Sequence, residues 1–177
     1  MKTIKKISML VLATVISSFT LSCSKSDYGG SGGSAAEGTI KAKVDENWVE
    51  TLEMVTFATE MMGTLQLQGN TGGTSSKAFV FTINGFEGTG TYDLGGEAGA
   101  IGTVATYSEI VVALSNPTAP ETNNWTAPYE GGDKVGEIQV AEYEEGEYIK
   151  GTFHFEAKNT TGDDKKNVTE GSFYINF

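Results

Sequence analysis

Two residue types that could carry chemistry occur once each in this chain of 177 residues, Cys23 and His154. An imidazole can act as a general base, and a thiolate can act as a nucleophile or metal ligand. Neither has the company such chemistry needs. A zinc site would require further His or Cys ligands, and His154 falls between Phe153 and Phe155 in an alternating run that points it outward. Four glutamates, Glu142, Glu144, Glu145 and Glu147, crowd around Gly146. Paired carboxylates about 5 to 10 Å apart across a cleft hydrolyse glycosides, but a hairpin turn presents them to water instead. The same stretch lacks the spaced oxygen ligands and fixed glycine of a calcium loop. Asp163-Asp164 beside Lys165-Lys166 reads as a solvated, charge-compensated loop. Gly29-Gly30-Ser31-Gly32-Gly33 satisfies the spacing of a hydrolase nucleophile elbow, which requires a strand before it and a helix after it; neither flanks it. No catalytic residue, metal site or cofactor is expected, and the chain reads as non-enzymatic.

Two aromatic residues are better placed for contact than for catalysis. Trp125 and Tyr129 lie in Thr118 to Asp133, a stretch rich in Pro, Asn and Gly that reads as the longest loop of the folded part. Loops on a rigid β scaffold are where binding residues concentrate. Either ring could stack on a sugar or a partner surface. In the competing reading Trp125 folds back as a plug over the core. Trp48, close behind the first strand, is expected in the core.

The N-terminus combines Lys2, Lys5 and Lys6, an apolar run from Ile7 to about Phe19 and the small-residue step Leu21-Ser22 before Cys23. That is the order of a secretory signal. The run is about 13 residues, short of the roughly 20 that span a bilayer. A cysteine directly after such a segment resembles the lipobox of bacterial lipoproteins, although Thr20 stands where the usual leucine would be. The resemblance implies cleavage after Ser22 and acylation of Cys23. Two or three acyl chains anchor durably where a single chain does not. The partner this implies is a membrane reached through a lipid anchor, at the cell envelope, with the outer membrane as the expected site.

Removing residues 1–22 takes three of the twelve lysines and none of the 23 acids, leaving a formal charge of −14; there is no arginine. Nucleic-acid affinity rests on Lys and Arg neutralising phosphates, so that partner class is excluded. As the sole cysteine, Cys23 also rules out an intramolecular disulfide. Residues 23–38, with SKSDYGGSGGSAAEG after the cysteine, read as a flexible tether. Residues 39–177 read as one domain.

Within that domain period-two alternation dominates. Ile40, Ala42 and Val44 share a face; so do Leu65 and Leu67; so do Phe79, Phe81 and Ile83. A doubtful three-four spacing at Leu52 to Met62 is the only helical signal. The last third predicts a three-stranded meander over Val135 to Tyr143, Tyr148 to Lys158 and Asn167 to Phe177, with Phe153, Phe155, Phe173 and Phe177 inward. About eight to ten short strands without crossover helices predict an all-β fold, an antiparallel β-sandwich or flattened β-barrel.

Ala42-Lys43-Val44-Asp45 with Trp48, Gly90-Thr91-Tyr92, Gly136-Glu137-Ile138, Ile149-Lys150-Gly151-Thr152-Phe153-His154-Phe155 and Val168-Thr169-Glu170-Gly171-Ser172-Phe173 together give the domain a familiar outline. Over about residues 39–177 it resembles a family of uncharacterised all-β lipoproteins of Bacteroidota, most specifically in the G-T-F-x-F and T-x-G-x-F pair. The resemblance implies an extracytoplasmic β domain attached to the cell envelope and transfers no functional residue. The functional expectation is a ligand- or partner-binding domain, with a glycan or an envelope protein as candidate partners. A structural or assembly role is the alternative, followed by a glycan-processing enzyme.

Overall fold

The computed structural model describes residues 33–96, 102–130 and 133–177. The expected signal segment, Cys23 and most of the expected tether lie outside the described residues. Eleven strands form among them: β1 (Thr39–Val44), β2 (Asn47–Glu50), β3 (Phe57–Met61), β4 (Thr64–Asn70), β5 (Ser75–Asn84), β6 (Gly90–Leu94), β7 (Thr103–Val111), β8 (Glu121–Ala127), β9 (Gly136–Glu144), β10 (Tyr148–Asn159) and β11 (Lys165–Asn176). The expected all-β fold is present, with β9, β10 and β11 as the meander. The helical spacing at Leu52 to Met62 resolves into a single 3-10 turn, Glu53–Val55, followed by β3.

All pairings are antiparallel, in one continuous order β2-β1-β11-β10-β8-β7-β5-β4-β3, with β9 and β6 branching from β10. The branch arises because one edge of β10 is shared: Tyr148 to Phe155 pair with β9, whereas Lys158 and Asn159 pair with Trp125 and Thr126 of β8. There the sheet curls into a half-barrel. In a flat sheet β5 and β10 would stand three strand spacings apart, about 14 Å. Instead the rings of Phe81 and Phe153 meet at 4.7 Å and those of Phe79 and Phe153 at 5.8 Å. The two halves therefore face each other across a core of alternate residues, with Leu65, Leu67, Phe79, Phe81, Ile83, Ile149, Phe155 and Ile175 wholly or almost wholly out of water.

Two cross-strand pairs explain the most specific sequence motif. Gly151 on β10 lies opposite Phe173 on β11, and Phe153 opposite Gly171. A Cβ on Gly151 would sit 2.4 Å from the Phe173 ring and 2.1 Å from the Gln139 carbonyl; one on Gly171 would sit 2.5 Å from the Phe153 ring. Each glycine thus gives up its side-chain volume to the ring opposite. The motif is a packing device.

One seam is closed by the segment joining the two halves. Thr51 N–H donates to the Ile40 carbonyl and Leu52 N–H to the Asn70 carbonyl, each at 2.9 Å. The Thr51 hydroxyl accepts from Ile40 N–H at 2.9 Å and shares a 2.7 Å hydrogen bond with Thr56.

Three sequence expectations are corrected. Thr118 to Asp133 is not a loop throughout, because Glu121–Ala127 forms β8, paired along its whole length with Ala105 to Val111 of β7. Trp48 is 44% exposed and outside the core, because Val49 takes the inward position of that strand. Phe177 is 37% exposed: it follows the end of β11 at Asn176, its N–H donates to the Glu147 carbonyl at 3.1 Å, and its ring lies against Tyr143 at the sheet's end and not in the core.

Candidate binding face

The sequence-selected residues occupy different parts of the fold. His154 is exposed on the outer face of β10. Glu144, Glu145 and Glu147 are exposed at the β9–β10 turn, and Glu142 pairs with Lys150 at 3.0 Å. No group of three or more His, Cys, Asp or Glu that could hold a metal ion occurs among the described residues.

Trp125 and Tyr129 fall near one end of the half-barrel, where β8 joins β10. Trp125 is 5% exposed, with its ring 5.8 Å from Tyr107, its N–H donated to Asp164 at 3.0 Å and the Lys166 ammonium 5.2 Å from its centroid. This is the plug arrangement, and it leaves little of the ring for a ligand. Tyr129 is half-buried; its hydroxyl donates to Glu156 while Lys165 lies 4.7 Å from its ring centroid and donates to Glu156 at 2.7 Å. The Lys165 ammonium and the Tyr129 hydroxyl hold the Glu156 carboxyl below its ordinary value. Burial pushes the Asp45 carboxyl up, but Lys166 at 2.8 Å and the Asn167 N–H outweigh it and hold the group low. Both lysines of this cluster are thus ion-paired within it.

The outer surface of the half-barrel divides by charge. Along β1, β2, β9, β10 and β11 the outward positions include ion pairs: Lys41–Glu50 at 3.3 Å, Lys43–Glu170 at 2.7 Å, Lys150–Glu142 and Lys165–Glu156. Trp48 sits among them with both Lys41 and Lys43 at 5.3 Å from its ring centroid. The outward rows of β3, β4, β5, β7 and β8 are different. Register places Phe57, Gln68, Val80, Thr106 and Thr126 in one row, and Thr59, Gln66, Thr82 and Val104 in the next. Asn70, Ala78, Ser108 and Asn124 form a third row, Met61, Thr64 and Asn84 a fourth, and Ser76, Ile110 and Thr122 a fifth. None carries a charge, in a chain where 20% of residues do.

Large apolar side chains are exposed at the β3 edge of this face. Met54 is 86%, Phe57 45% and Met62 98% exposed, with Met61 and Leu52 beside them. All three methionines of residues 23–177 are here; methionine is a pliable contact residue common on binding surfaces. A hollow of about 290 Å³ opens between Met54, Phe57, Gln68, Asn70, Ala78 and Val80. A second, of about 390 Å³, lies at the β3–β4 turn against Glu60, Met61, Met62, Glu145 and Phe177. Behind it the Tyr143 hydroxyl donates to Glu60, and that bond, with some burial, pushes the phenol up to about 12.

Residues 36–175 match the family described as Domain of unknown function (DUF6252). The chain belongs to the DUF6252 family. The DUF6252 match spans all eleven strands but the last residue of β11, so the charge-free face lies wholly within it. No curated protein and no solved structure matches the chain.

Sequence reading selected Trp125 and Tyr129 and passed over Phe57, Gln66, Gln68 and Thr82. A signal was available in the alternation itself. The outward positions of Tyr148–Asn159 include Lys150, Glu156 and Lys158, whereas those of Thr64–Asn70 and Ser75–Asn84 are only Thr, Gln, Asn, Ser, Ala and Val.

Proposed function

We propose that this protein is a lipid-anchored component of the cell envelope, processed after Ser22 and acylated on Cys23, whose β domain is a non-enzymatic binding module working through the charge-free outer face of β3, β4, β5, β7 and β8. The observation that carries the reading is the complete absence of charged side chains from those rows, in a mature chain of formal charge −14. Exposed strand positions ordinarily take Lys and Glu at little cost, as the other half of this sheet does. A broad uncharged surface with exposed Phe and Met at its border has the composition of a contact surface. Supporting the anchor are the signal-like segment, the cysteine that follows it and the Gly/Ser run that separates it from β1.

Washed envelopes provide the test. The full chain should remain with the membrane through salt and carbonate washing, and Cys23→Ser should release it. The released Cys23→Ser protein should then rebind envelopes saturably. Thr82→Asp and Val104→Lys, which place opposite charges on the face, should each weaken rebinding by about tenfold or more, a loss of at least about 1.4 kcal/mol; Thr152→Asp on the charged half should not. Equal effects at all three positions would remove the face from the account.

A further inference from the structure

Resting on that reading of the face, we propose that the hollow beside Phe57 is a subsite for one ring of a neutral glycan. Its lining narrows the chemistry to that class. It is lined by the half-exposed Phe57, by Met54, Ala78 and Val80, and by Gln68 and Asn70, whose side chains carry amides. The Asn70 side-chain Oδ1 already accepts from Gly72 N–H at 2.9 Å, which leaves its amide NH2 as a donor. Gln68 makes no side-chain hydrogen bond among the described residues, so it offers both donors and an acceptor.

An anion finds no cation in the lining: Lys77, next to Ala78, alternates to the other face of β5, and Lys158, at the far end of the Phe57 row, is five strands away and paired with Asp163 at 2.8 Å. A cation finds no carboxylate. A wholly apolar ligand would cover two amides without satisfying them, at a cost of about 1–3 kcal/mol each. An uncharged ring with hydroxyls at its edge and a C–H face satisfies every wall, stacking on Phe57 and hydrogen-bonding to Gln68 and Asn70. At about 290 Å³ the hollow lies at the small end of ligand pockets, the scale of a single sugar ring. The surface continues the same chemistry: Gln66 and Thr82 are adjacent in the next row, neither bonded to another side chain among the described residues, and neighbouring strands repeat such groups about every 4.8 Å. A glycan chain running across the strands from Phe57 would therefore meet amides and hydroxyls along its length.

The test is calorimetric titration of the Cys23→Ser protein with maltohexaose, cellohexaose, laminarihexaose and mannohexaose, and with trigalacturonate as the anionic comparison. At least one neutral hexaose should bind and trigalacturonate should not. Phe57→Ala should weaken that binding by about tenfold, Gln68→Ala should weaken it less, and Phe57→Trp should retain it. No binding of any neutral hexaose, equal binding of trigalacturonate, or an unchanged affinity in Phe57→Ala would each overturn the subsite. Sedimentation of the same protein covers the competing occupant: self-association abolished by Phe57→Ala would assign the hollow to a second copy and overturn the glycan. If the hexaoses fail while Thr82→Asp still abolishes envelope rebinding, the glycan falls and the binding face stands; if Thr82→Asp has no effect on rebinding, the face itself falls.

Discussion

Three aromatic residues show how one substitution's meaning depends on which face it occupies. Phe153 touches Phe79, Phe81, Phe155 and Phe173. Phe153→Ala should cost about 3–5 kcal/mol in urea unfolding; a loss below about 1 kcal/mol would mean that the ring is not the hub it is described as. Phe57, half-exposed at an edge, should melt within a degree or two of wild type when changed to alanine while losing ligand. Trp125 is the converse case, a ring whose removal should cost stability and leave binding by the face intact. Two phenols should also stand apart. Burial and the Glu109 carboxylate push Tyr107 far up, and the Glu60 bond takes Tyr143 to about 12. Absorbance titration at alkaline pH should show both ionising above the ordinary phenol value, and Glu60→Gln should bring Tyr143 back toward that value.

At the scale of elements, what the sequence made legible was whatever alternation controls. Ile40, Ala42 and Val44, Leu65 and Leu67, and the Phe79-Phe81-Ile83 set all face the core as their spacing requires. What it hid has physical causes. β8 carries Asn123, Asn124 and two flanking prolines, a composition that favours turns in isolation, and only pairing along β7 and the burial of Trp125 hold it extended. The Trp48 error was one of register, since a one-residue shift exchanges the faces of a strand. The charge-free face was missed because it is a property of five strands side by side, and their order is not written in any one of them. The Gly151–Phe173 and Phe153–Gly171 pairs carry a prediction at this scale. Gly151→Ala should destabilise by about 1–3 kcal/mol through overpacking, because its Cβ would meet a backbone carbonyl that cannot yield. A neutral effect in urea unfolding would show that the two rings have room to move.

At the scale of the whole molecule, charge is sorted onto one half of the sheet and its ends. The lowered carboxyls, Asp45, Glu156 and Asp163, are all ion-paired there. A carboxyl whose folded value lies below its unfolded value binds fewer protons when folded, so its stabilisation is complete above about pH 4 to 5 and is lost as pH falls through the folded value. Each pair reaches water, which screens it, so each contributes little by itself. Thermal stability should accordingly hold through neutral pH and fall progressively below about pH 4, and Asp45→Asn should flatten the upper part of that acid limb. A melting temperature that rises on acidification would contradict the pairing.

The central claim is that the uncharged half of the sheet is the one that meets the envelope, and hydroxyl-radical footprinting reads it directly. Purified protein and protein in intact cells are labelled in parallel, and oxidation is quantified residue by residue. The account predicts that Met54, Phe57 and Met61 are protected several-fold in cells while Trp48, exposed on the charged half, is labelled equally in both. Protection of Trp48 with Met54 and Phe57 unchanged would contradict it.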